Sequence, residues 1–262
     1  MNKYLRIAGI LSVLCFSFYF TEQAALFMRS QDPLYESIVA VKEEYKEESI
    51  NAIIKDDYMI PGYSGIEINV DKSFQNMKYL GYYQTASLVF DEIKPEVSVS
   101  ENKDKIIYRG NSLKQSVALI LEDEHLIAYL EEMGIPYSVL TTQENVDTHR
   151  AYGTKINNDF TNYDAVEKAL KNNKENNELC YIKNNNKDFC IEKKKLLIKE
   201  TLSVSKNDFS KTYNKVSSGD IIYIQNNLGL ANFKVLLENI EFKGLKIISL
   251  QDLISESRKA IA

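Results

Sequence analysis

Glu122, Asp123, Glu124 and His125 are the residues best placed to do chemistry in this chain. They follow the continuous apolar run VALIL at 117–121. Carboxylates at the tip of a buried strand can hold a cation, accept hydrogen bonds from sugar hydroxyls or move a proton. A neighbouring imidazole adds a ligand or an acid near neutral pH. The same residues also suit a helix start, where negative side chains complement the positive end of the helix dipole. The sequence leaves both readings open, and His125 is either a site residue or a solvent-facing residue of the first helical turn. His149, the second of the two histidines, sits in the polar stretch NVDTHRAYG and reads as a loop residue. Asp159 and Tyr163 in YGTKINNDFTNY, and Gln225 after DIIYI, are polar positions near predicted strand ends. No P-loop, dinucleotide-binding glycine pattern, nucleophile elbow or HExxH motif is present.

The elements that would position these residues form a regular series. VALIL (117–121), IPYSVL (135–140), LCYI (179–182), KLLIKE (195–200), DIIYI (220–224) and LKIIS (245–249) are apolar strands. Helical spacing appears between them at 126–134, 163–173 and 230–240. Strands without polar alternation, separated by helices, predict a parallel α/β sheet covered on its faces. Residues 217–254 form the clearest βαβ unit. Periodicity does not choose between a barrel and an open, doubly wound sheet. Ahead of this region, 30–48 reads as a charged helix or stalk. Residues 50–112 are poorly patterned, with short strands at 53–54, 66–70, near Val97 and at 106–108, and a helix from Asp71 to Gly81.

A net charge of −5 with interspersed Lys and Glu argues against a nucleic-acid partner. Lys3 and Arg6 precede the uncharged, mostly apolar run at 7–21, a targeting segment with no good small-x-small cleavage site. The expectation is a signal anchor over 1–28, with the remainder outside the cytoplasm and the chain held at the cell membrane; secretion after cleavage is the alternative. A stalk and small extension over 29–112 and a (β/α) domain over 113–258 complete the expected division. Cys15 lies inside the apolar run. Cys180 and Cys190 are either two buried thiols or a disulfide, and their spacing is not that of a zinc site.

Three stretches carry a resemblance to the polysaccharide deacetylase, or NodB-homology, family. VALILEDEH (117–125) is similar to the family's strand ending in T-F-D-D-G-P; LIAYLEEMGIPYSVL (126–140) is similar to its next helix–strand step; and 217–254, with Gly219, Ile221, Gly244 and Leu250, resembles its closing region. The resemblance implies a distorted (β/α) barrel, here with an N-terminal anchor helix and a small α+β extension. It also implies a divalent metal, usually zinc, held by one Asp and two His, with a preceding Asp as general base and a late-strand His as general acid. On these positions Glu122 stands for the base, Asp123 for the metal carboxylate, Asp159 and Tyr163 for the two histidines, and Gln225 for the acid. A phenol and an amide do not rebuild that site, and loss of the general acid alone costs ~10²–10⁴-fold in rate. The expectation is an inactive relative with no catalytic residue and no cofactor, binding cell-surface glycan or a protein partner through Glu122, Asp123, His125 and Asp159. Two alternatives remain: an active N-acetyl-sugar deacetylase with zinc or another divalent cation at a rearranged site, and a purely structural or interaction module.

Overall fold

The computed structural model describes residues 3–175, 178–183 and 186–258. The chain opens with α1 (Lys3–Ser30) and α2 (Pro33–Val41), followed by the short strands β1 (Ile53–Lys55) and β2 (Tyr58–Ile60). Next come β3 (Gly65–Ile68), α3 (Val70–Lys78), β4 (Phe90–Ile93), β5 (Ile106–Ile107) and β6 (Ser116–Leu121). The series continues through α4 (Glu124–Met133), β7 (Tyr137–Thr141), β8 (Gly153–Asn157), α5 (Tyr163–Asn172), β9 (Leu179–Tyr181) and α6 (Lys187–Glu192). It closes with β10 (Leu196–Ile198), β11 (Leu202–Val204), α7 (Phe209–Thr212), β12 (Ile221–Ile224), α8 (Leu230–Phe242), β13 (Lys246–Ile247) and α9 (Leu250–Ile254).

Two compact units result: Met1–Glu48 with Gly65–Ile93, and Ser49–Ser64 with Lys94–Ala262. This division differs from a split at 112, because β1, β2 and β5 join the sheet that also holds β10 and β9. In the smaller unit, Ile38 of α2 packs with Ile68, Phe74 and Met77. Asn69 caps α3 by accepting from the Lys72 N–H at 2.9 Å. Apolar side chains of α1, including Leu11, Phe16 and Phe18, are exposed. Among the described residues no helix is long and apolar enough to cross a membrane. The strand expected near Val97 falls instead at β4, paired antiparallel with β3.

The larger unit is the α/β body. One sheet runs β11-β12-β6-β7-β8, all parallel, with β13 also on β6; the other runs β1-β2-β5-β10-β9. Alternation along β6 explains the layering, because successive side chains leave opposite faces of a strand. Val117, Leu119 and Leu121 face outward beneath Leu126 and Leu130 of α4 and Phe233 and Leu236 of α8. Ala118 and Ile120 face inward and meet Ile107, Leu179 and Ile198 of the other sheet. The interior is thus closed by two arcs of strands, a distorted (β/α) barrel. α4 starts at an Asp123 cap and stops at Gly134, whose φ of 66° suits a residue without Cβ.

Two strands escape the apolar pattern. β8 buries Lys155 and Asn157, and both polar ends are satisfied. Lys155 Nζ donates to Val146 O and Glu175 Oε1 at 2.6 and 2.8 Å, and Asn157 Nδ2 donates to Tyr163 O and Glu167 Oε1 at 3.0 and 3.1 Å. The short strand β11 pairs with β12 at the sheet edge. Cys180 of β9 and Cys190 of α6 form a disulfide with Cα atoms 6.0 Å apart, which resolves the open pairing in favour of the bridge.

Candidate functional site

Because β12, β6, β7 and β8 are parallel neighbours, their C-terminal tips lie along one face, where α/β barrels carry their chemistry. Glu122 follows β6, Gln143 and Asp159 follow β7 and β8, and Gln225 follows β12. The side chains of Glu122, Asp159 and Gln225 each have a hydrogen-bond partner, as does that of Asp123. Glu122 Oε1 accepts from the Tyr223 hydroxyl at 3.0 Å. Asp123 Oδ1 accepts from the N–H groups of His125 and Leu126 at 2.9 and 3.3 Å, so it is the cap of α4. Glu124 takes both oxygens to Arg150 Nη2 at 2.6 and 2.9 Å. His125 and His149 are exposed.

Asp159 organises the loop after β8. Oδ1 accepts from the N–H groups of Thr161 and Asn162 at 3.2 and 2.9 Å, and Oδ2 accepts from Gln143 N–H and Asn162 Nδ2 at 3.2 and 3.3 Å. The backbone N–H of Asn162, and then that of Gln143, hold its carboxyl below the usual range. Gln225 Nε2 donates to Ser203 Oγ at 3.0 Å. Tyr163 is buried beside Phe160 and Phe189, with ring centroids 6.4 and 4.9 Å away. No hydrogen bond or ion pair joins Asp159 or Gln225 to Glu122 or Asp123 among the described residues.

Tyr181, Tyr223 and Glu200 were not singled out by the sequence. Tyr223 stacks on Tyr181, centroids 5.9 Å apart and planes at 27°, and Tyr181 donates to Glu200 Oε2 at 2.7 Å. The pair joins the two arcs of the barrel at its mouth, since Tyr223 belongs to β12 and Tyr181 to β9. Burial first, then the paired glutamate, raises both phenols above their usual value, so both remain donors. The available signal was the alternation in DIIYI, which sends Tyr223 to the same side as the inward Ile221.

The fold family implies a divalent cation, and the donor set does not fit one. No imidazole stands at the positions of Asp159, Tyr163 and Gln225, and Gln225 offers an amide. Asp123 Oδ1 and both oxygens of Asp159 already accept N–H donors. Among the described residues no three His, Cys, Asp or Glu side chains are grouped to hold a metal ion.

A distorted parallel barrel with an acidic β6 tip and no imidazole at the positions of metal and acid is a degenerate polysaccharide-deacetylase-like fold. Solved structures of a protein described as a CE4 family pseudoenzyme share this fold. Wild-type BA3943 of Bacillus anthracis, described as a CE4 family pseudoenzyme, superposes with a TM-score of 0.60 at 17% identity, covering 87% of this chain and 97% of that one. A BA3943 mutant described as having restored enzymatic activity matches with a TM-score of 0.56 at 17% identity over 86% of this chain and 99% of that one. At such identity the likeness is one of fold. The uncharacterized protein YlxY of Bacillus subtilis (strain 168) is 35% identical over 105 residues, 40% of this chain. That match spans only a third of the relative's length. No family model matches the chain.

Proposed function

We propose that this chain is a membrane-tethered, extracytoplasmic polysaccharide-deacetylase-like protein that binds glycan or a protein partner at the cell surface without deacetylating it. The observation that carries the reading is the commitment of the strand-tip side chains: Asp123 caps α4, Asp159 closes its own loop and Gln225 is bonded to Ser203. A deacetylase needs free ligands for its metal and a proton donor for the leaving amine. BA3943 is described as a pseudoenzyme and one of its mutants as restored, which supports the idea that this fold loses and regains activity by substitution. The Cys180–Cys190 bridge supports an oxidising compartment. The exposed apolar side chains of α1 support the tether.

The test is acetate release from N-acetylated chito-oligomers by the purified full chain, with and without added zinc. Release stays at background in both arms. Metal-dependent release overturns the inactive reading and favours a rearranged site around Glu122, Asp123, His125 and Asp159. For the tether, alkaline extraction leaves the chain with the membrane pellet, and external protease removes the larger unit from intact cells. Full release into the supernatant points to a cleaved, secreted form.

A further inference from the structure

Asn157, Glu167 and Lys195 come from three separate segments: the last residue of β8, the middle of α5 and the residue before β10. They meet on one carboxylate. Glu167 Oε1 accepts from Asn157 Nδ2 at 3.1 Å, and Glu167 Oε2 accepts from Lys195 Nζ at 2.7 Å. α5 turns Tyr163, Val166 and Leu170 inward, and Glu167 lies along that face, one helical turn from Tyr163 and from Leu170. Asn157 is 1% exposed, and the side chain of Lys195 is 13% exposed. The amide is held on both sides. Its Oδ1 accepts from the Asp159 N–H at 3.1 Å, and its Nδ2 also donates to Tyr163 O at 3.0 Å.

Burial of a polar amide and of an ammonium asks only that each be bonded. Here the bonds also fall in the order that amide transfer needs. A lysine amine is a nucleophile once it gives up a proton. One carboxylate touches both the amine and the amide nitrogen, so it can take a proton from the first and return it to the second. The Asp159 N–H on the amide oxygen polarises the carbonyl and stabilises the negative charge of a tetrahedral intermediate. Lys155, the other buried lysine of this region, lacks that order. Its Nζ is bonded to Val146 O and Glu175 Oε1, and neither of these groups is shared with a side-chain amide.

We propose that Lys195 and Asn157 join in an intramolecular isopeptide bond, with Glu167 carrying the protons. The Lys195 ammonium gives one proton to Glu167 Oε2, and neutral Nζ adds to Asn157 Cγ. The Cγ–Nδ2 bond then breaks. The proton held by Glu167 and a second proton from Nζ leave on Nδ2, which departs as ammonium. Glu167 ends as a carboxylate, the charge is unchanged and no cofactor is consumed. Attack needs Nζ within roughly 3–3.5 Å of Cγ, which the flexible lysine stem supplies by turning about its last torsions. The bond ties β8 to the start of β10 and encloses α5, β9 and the Cys180–Cys190 bridge.

Peptide mapping of the purified full chain tests this, with the disulfide reduced and alkylated before trypsin and tandem mass spectrometry. The peptide carrying Asn157 is joined to the peptide carrying Lys195, and the pair is lighter than the two separate peptides by one ammonia. Lys195→Arg keeps a cation beside Glu167, and Glu167→Gln keeps a side chain of the same shape without the transferable proton. Both give separate peptides at full mass. Separate, full-mass peptides from wild type overturn the bond. Loss of ammonia from the Asn157 peptide without the join also overturns it, because an asparagine closing on its own backbone loses the same group. A joined pair that persists in Glu167→Gln overturns the role of Glu167. The wild-type map decides the bond even where a variant fails to fold.

Discussion

Tyr223 donates its phenolic hydrogen to Glu122 across 3.0 Å, tying the tip of β12 to the tip of β6 at the point where the resemblance places a catalytic base. Tyr181 and Glu200 repeat the arrangement from the opposite arc at 2.7 Å. The barrel mouth is thereby spanned by two stacked phenols, each anchored on a carboxylate. A hydrogen bond to a charged acceptor contributes more than a neutral one, so this ladder stabilises the fold while keeping Glu122 occupied.

Removing the donor measures that contribution. Tyr223→Phe keeps the ring and its stacking on Tyr181 but leaves Glu122 without its partner. The folded state loses about 1–2 kcal/mol, read as a lower urea midpoint at unchanged slope. A midpoint equal to that of wild type would show that the bond carries no stability.

The disulfide closes a short loop, the two cysteines lying 10 residues apart. Loop-closure entropy gives such a bridge about 2–3 kcal/mol. Cys180→Ser with Cys190→Ser lowers the urea midpoint accordingly, and dithiothreitol lowers that of wild type but not that of the double variant. Sensitivity of the double variant to the reductant would place the effect elsewhere.

Two carboxyls give opposite pH signatures. Asp159 is held below its ordinary value, chiefly by the Asn162 and Gln143 N–H groups. Its contribution is present above the ordinary aspartate value and is lost as pH falls through the depressed one. Asp159→Asn therefore flattens the acid limb of the stability curve below about pH 4. Glu256 is raised, burial outweighing the Val99 and Gly62 N–H groups it accepts from. Its contribution is present below the ordinary glutamate value and is lost as pH rises through the raised one. Glu256→Gln keeps an acceptor there and gains on wild type from acid to neutral pH. Thermal melts across pH 3–8 check both, and parallel curves for either variant refute its assignment.

Gly219 and Gly244 separate conformational need from space. Gly219 has φ 89°, and a Cβ there would sit 2.4 Å from the Gly110 carbonyl oxygen. Gly244 has φ 68° with no heavy atom within 4 Å of such a Cβ. Gly244→Ala costs about 1–2 kcal/mol for the left-handed backbone alone, and Gly219→Ala costs more. Equal melting temperatures for the two variants would contradict the close approach.

The amino-acid pattern by itself determined the parallel α/β body. The apolar run 117–121 is buried throughout, as are Ile221, Ile222 and Ile224. Asp123 and Gly134 bound α4 by local backbone chemistry, and the shortage of imidazole was plain in the composition. Tertiary structure decided what depends on distant partners. GTKIN becomes a strand only because Glu175, Glu167 and backbone carbonyls satisfy buried Lys155 and Asn157; without those partners its polar residues would stay in water. The pairing of Cys180 with Cys190, the bond from Tyr223 to Glu122 and the setting of Phe160 against Phe189 likewise join separate segments. Periodicity records which way a side chain points along its own strand or helix, whereas the group that meets it is fixed only when the sheets close.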